Sequence, residues 1–148
     1  MRAAFCVVLS MAILTPPALA ALGGEALSVD ADVARMKGQA RCSAVAGYTV
    51  CQITLPSGTV VNEYVSSEGK VFAVTWKGAA MPDLNQTLGA YFTEYKAAAA
   101  LTAHSGHNHL AVRQQDLVIL NGGHMRAWMG RAYLPSLLPP NFSVDDIK

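Results

Sequence analysis

The sequence predicts an α+β fold in a single domain: an antiparallel sheet of five or six strands, packed on one face by one main helix, with a short helix near the N-terminus. Three observations carry this expectation. β-prone runs follow one another between tight-turn signals from Tyr48 to Lys77. The hydrophobic period then becomes helical after Gly78. Finally, 148 residues, 52% of them hydrophobic and 14% charged, suffice for one core.

Residues 1–20 read as a secretory signal peptide. Arg2 supplies a positive charge, Ala3 to Leu14 are apolar apart from Ser10, and Ala18-Leu19-Ala20 forms an A-x-A cleavage site. The apolar run ends before Pro16 and Pro17, short of the roughly 20 residues a membrane span needs. The expected product is residues 21–148, periplasmic or secreted, with no membrane span once the signal is removed. Cys6 leaves with the signal, as does Arg2, so ten basic and ten acidic residues remain. A chain without net charge is not expected to bind nucleic acid.

Taken in order, Ser28 is a suitable N-cap for SVDADVARMKG, with Asp30 and Asp32 in the first turn and Gly38 past the end. The segment RCSAVAGYTVC reads as a hairpin centred on Ala46-Gly47, which places Cys42 opposite Cys51. In an oxidising compartment this pair forms a structural disulfide, since no Cys-x-x-Cys or activating neighbour marks a redox or metal site. The runs YTVCQITL, TVVNEYVS and KVFAVTWK follow, separated by Pro56-Ser57-Gly58 and Ser67-Glu68-Gly69. Strict alternation in the third run puts Phe72, Val74 and Trp76 on one face.

The main helix is expected from Asp83, which with Gln86 resembles a capping box. Leu84, Leu88, Tyr91, Phe92 and Tyr95 recur at helical spacing, and Gly89 is read as room for close packing. A polar loop, TAHSGHNH, leads to VRQQDLVIL, a turn at Asn121-Gly122-Gly123, and the strand HMRAWMGRAYL, with a bulge possible at Gly130. From about residue 135 the Pro-rich tail is expected to be irregular.

Few residues invite a chemical role. His104, His107 and His109 lie within six residues, and imidazoles suit a divalent transition metal. Their spacing matches no standard metal motif, however, and solvated loop histidines are the simpler reading. His124, Arg126 and Trp128 share one face of a regular strand and would offer an imidazole, a cation and an indole to an anionic or aromatic ligand. The competing reading is an ordinary sheet face with the Trp in the core. No nucleophile elbow, phosphate-binding glycine loop or paired carboxylates can be placed from sequence, so no catalytic residue and no cofactor is assigned.

Several segments together resemble the bacterial secreted family catalogued as domain of unknown function 2844. They include Ala21-Leu22-Gly23-Gly24, Leu55 to Val65, Gly69 to Trp76, Pro82-Asp83-Leu84, Leu88 to Phe92, Gly122 to Arg126 and Gly130 to Pro135. The resemblance covers nearly all of residues 21–148 and implies no activity, cofactor or catalytic residue. The expectation is therefore a small non-enzymatic module of the cell envelope, binding a protein or small ligand. The alternatives are a metal-binding protein using the histidine loop, and a hydrolase-like enzyme around His124, Arg126 and Tyr133.

Overall fold

The computed structural model describes residues 22–26, 29–102, 109–114 and 116–148. The expected signal peptide lies outside them, as do His104 and His107. The chain runs α1 (Val29–Met36), β1 (Gln39–Val45), β2 (Tyr48–Thr54), β3 (Val60–Ser66), β4 (Val71–Gly78), α2 (Leu84–Leu88), α3 (Phe92–Thr102), β5 (His109–Gln114), β6 (Leu117–His124) and β7 (Ala127–Tyr133). The strands form one antiparallel sheet in the order β1-β2-β3-β4-β7-β6-β5. The α+β expectation holds, with seven strands where five or six were expected.

The extra strand arises in the last third of the chain. VRQQDLVIL is divided between β5 and β6, and Asn121-Gly122-Gly123 lies inside β6 rather than in a turn. The chain reverses at Met125-Arg126 instead, where Arg126 takes a left-handed φ of 67°. Gly123 is needed for proximity: a Cβ there would lie 2.2 Å from the Ala127 carbonyl oxygen. Gly130 does not bulge its strand, since β7 stays in register with both neighbours through it. It makes room for the Trp76 indole, which would sit 2.2 Å from an added Cβ.

Two other local expectations are corrected. Phe72 does not share a face with Val74 and Trp76, because the β3–β4 ladder steps from Tyr64↔Ala73 to Val65↔Val71 and leaves Phe72 in a bulge. It packs with Ala73 and Tyr64 on the other side of the sheet. The main helix is broken at Gly89, whose φ of 53° ends α2 and starts a 3-10 turn before α3. Only glycine enters that conformation cheaply, so Gly89 is a cap rather than a packing gap. Asp83 caps α2 as expected, its Oδ1 accepting from the Asn85 and Gln86 amides at 2.9 and 3.4 Å.

The first hairpin forms as read. Val45 faces Tyr48 across the two-residue turn and Cys42 faces Cys51, which form a disulfide. Closing so short a loop contributes roughly 2–3 kcal/mol on the chain-entropy account. It fastens an edge strand that is exposed along its whole length and has little packing of its own.

Apolar residues divide between two faces. On the helical face, Val29 of α1 and Leu88 of α2 pack with Ile53, Val61, Val74, Trp76, Ile119 and Leu134, and Phe92, Tyr95 and Ala98 lie against this cluster. On the opposite face the tail returns over the sheet. It contains 3-10 turns at Pro135–Leu137 and Val144–Asp146, and Phe142 meets Tyr48 and Phe72 edge-on at 5.1 and 4.9 Å. The tail ends over the middle of the sheet, where the Lys148 carbonyl accepts from Tyr64 Oη at 2.8 Å, Thr75 Oγ1 at 3.0 Å and Asn62 Nδ2 at 3.2 Å.

Candidate functional site

Among the described residues the tail covers one half of that face, and a groove lies on the other half. Register places Gln52, Asn62, Thr75, Arg131, Leu120 and Ala111 in one row across six strands. The next row runs Val60, Lys77, Met129 and Gly122. Beyond the end of the tail these rows floor a groove of about 930 Å³, with Ile147 and Lys148 as its wall. That volume lies within the range of small-molecule sites. The groove spans four strand spacings from β3 to β5, roughly 19 Å.

Its chemistry is asymmetric. Val60, Leu120, Ala127 and Met129 give an apolar floor, and Met129 remains 53% exposed. The cationic side chains are Lys77, Arg131 and Lys148, with the His124 imidazole at the far end, and among the described residues no Asp or Glu lines it. Arg131 spends one bond on the tail, Nη1 donating to the Val144 carbonyl at 3.3 Å.

The residues singled out from sequence are only partly brought together. His124 ends β6 and lines the groove, its Nδ1 3.2 Å from the Met125 carbonyl. Arg126 occupies the exposed turn. Trp128 pairs with Gly123 and Gly78, and alternation puts it on the helical face with Gly130 and Ala132. His124, Arg126 and Trp128 therefore do not share a face, because the reversal falls between the first and the last of them. Tyr133, at the far end of β7, packs against the tail cluster. His109 begins β5 opposite Gly122. Among the described residues no three His, Cys, Asp or Glu side chains gather to hold a metal.

A second feature was not anticipated. Glu63 of β3 and Asp32 of α1 meet beneath α1, 1% and 0% exposed. Burial, then the charge and hydrogen bond of Asp32, push the Glu63 carboxyl up to about 9. Asp32 is raised to about 6, chiefly by burial and despite the Arg35 guanidinium, whose Nη1 is 3.9 Å away. Apart from each other, Asp32 Oδ1 and Oδ2 and Glu63 Oε2 have no hydrogen-bonding partner among the described residues. Burial and the neighbouring carboxyl thus favour retention of a proton by the pair, on the Glu63 side, at neutral pH. Cys51 faces Glu63 across β2 and β3, so the disulfide borders this pair.

A smaller cleft of about 470 Å³ lies between Tyr91, Glu94, Gln114 and Asp116. Burial, then Asp116 and Glu94, raise the Tyr91 phenol. Asp116 itself is engaged by Ser136, whose amide donates to Oδ1 at 2.8 Å and whose hydroxyl donates to Oδ2.

The family model for proteins of unknown function DUF2844 matches residues 18–147. The chain belongs to this family. Comparison with curated proteins and with solved structures finds no match. Several residues that carried the resemblance to DUF2844 hold the sheet together. Gly23 takes a φ of 81° beneath Tyr91, while Gly123 and Gly130 admit a neighbouring backbone and an indole. Among the described residues of this DUF2844 chain, no helix is long and apolar enough to cross a membrane.

Proposed function

We propose that this chain is a non-enzymatic binding module of the cell envelope, and that its ligand lies in the groove on the open half of the sheet. The supporting observation is the groove itself: an apolar floor from β3, β7 and β6, walled by the tail and edged by cations. Backbone pairing fixes its shape, so little ordering entropy opposes binding. The envelope location rests on the export signal at residues 1–20. Intact mass of the protein from a periplasmic extract checks that part, with a loss corresponding to cleavage after Ala20 in its favour and an uncut chain against it.

The groove reading is tested with the neutral fluorescent probe N-phenyl-1-naphthylamine. Saturable binding at one probe per chain is expected. Ala127→Trp fills the groove floor and should abolish it, whereas Leu101→Gln on exposed α3 should leave it unchanged. Absence of binding, or binding lost with Leu101→Gln and kept with Ala127→Trp, contradicts the proposal.

A further inference from the structure

The groove is polarised along its length, and this says more about its occupant than its volume does. Lys77 projects from β4 in the row of Val60 and Met129, and Arg131 lies in the adjoining row beside Thr75 and Leu120. The ion pairs among the described residues, Arg35 with Asp32 and Lys70 with Glu25, involve neither. Arg131 gives one N–H to the Val144 carbonyl and keeps further guanidinium donors. The Lys148 carbonyl engages Asn62, Tyr64 and Thr75, so the cations remain the strongest donors at this end. From there the floor continues as Met129, Leu120, Ala127 and Ala111 towards His124. Two cations beside an apolar floor, with no Asp or Glu lining the groove among the described residues, complement a molecule with one anionic head and one apolar tail. From Arg131 the groove extends four residues along β7 to Ala127, roughly 14 Å, and two strand spacings to β5, roughly 10 Å, so an extended alkyl chain fits along the diagonal.

Resting on the proposal that the groove is the ligand site, we propose that its occupant is a monomeric long-chain carboxylate, its head between Lys77 and Arg131 and its chain along Leu120, Met129 and Ala127. A charge-assisted bond from a partly desolvated guanidinium gives the carboxylate an advantage that a neutral head of equal chain length lacks. A cationic head meets repulsion instead.

Calorimetric titration of the full chain with dodecanoate, dodecyl maltoside and dodecyltrimethylammonium, each below its micelle concentration, tests this. Dodecanoate is expected to bind about tenfold more tightly than the maltoside, and the ammonium most weakly. Lys77→Gln, at an exposed position, should narrow the gap, and Lys77→Gln with Arg131→Gln should close it while maltoside binding persists. Equal binding of dodecanoate and maltoside, both abolished by Ala127→Trp, overturns the carboxylate and leaves the groove standing. A preference for dodecanoate unaffected by Lys77→Gln and by the double variant also overturns it. No binding of any probe overturns both readings.

Discussion

Replacing Glu63 by glutamine is expected to stabilise the protein at alkaline pH and to flatten the pH dependence of its stability. In the folded chain the Glu63 carboxyl keeps its proton to about pH 9, whereas an unfolded chain releases it near 4.5. Asp32 shifts in the same direction, from 3.8 to about 6. Between those limits the folded state binds more protons than the unfolded one, so stability is fullest in acid and falls as pH rises. The slope for one proton is about 1.4 kcal/mol per pH unit at most. Water penetration and relaxation reduce it, and a loss on the order of 3 kcal/mol between pH 5 and pH 8 is expected from Glu63. Glutamine fits the same space, and its amide can donate to the Asp32 carboxylate without a proton to lose. Urea denaturation at pH 5 and pH 8 should show a wild type that weakens across this interval and a Glu63→Gln protein that keeps most of its acid-side stability. Parallel behaviour of the two would mean that the buried pair does not set the pH response.

The other large effect concerns Gly130. The Trp76 indole lies over this residue, is 1% exposed, and is hemmed in by the main core. Gly130→Val would put a Cβ 2.2 Å from Trp76 Cζ2 in the middle of a regular ladder, with further methyls beyond it. Neither strand can slip without turning its apolar residues to the wrong face. A loss of about 3 kcal/mol is expected, measured as a lower denaturation midpoint. Trp76→Leu in the Gly130→Val background should recover part of it, because the two positions are directly coupled. An unchanged midpoint for Gly130→Val alone would show that the indole does not depend on that glycine.

Both residues bear on what was legible in the chain. The first hairpin and its disulfide could be read because a two-residue turn sets the register for every pair behind it, down to Cys42 and Cys51. Gly122-Gly123 misled because glycine serves a turn and a close backbone approach equally well, and only the neighbouring strand reveals which applies. Misplacing that turn merged strands and put His124 and Trp128 on one face. The buried carboxyl pair did leave a trace. Glu63 occupies an inward position between Val61 and Val65 in VVNEYVS, and Asp32 falls on the apolar stripe of α1 with Val29, Val33 and Met36. An acid at each of two core-facing positions is a signal that spacing motifs alone pass over. The groove had no comparable trace. It is bounded by the contacts of Lys148 with Asn62 and Thr75, 86 and 73 residues away in sequence, which no local pattern announces.

The central claim, that this open half-face is where the chain binds its ligand, is tested most directly by amide chemical-shift mapping of the labelled protein titrated with dodecanoate. The account predicts saturable shifts confined to Lys77, Leu120, Ala127, Met129 and Arg131 and their strand neighbours, with α1 and α3 unaffected. Shifts centred on α1 or α3, or none at all up to the micelle concentration, would contradict it.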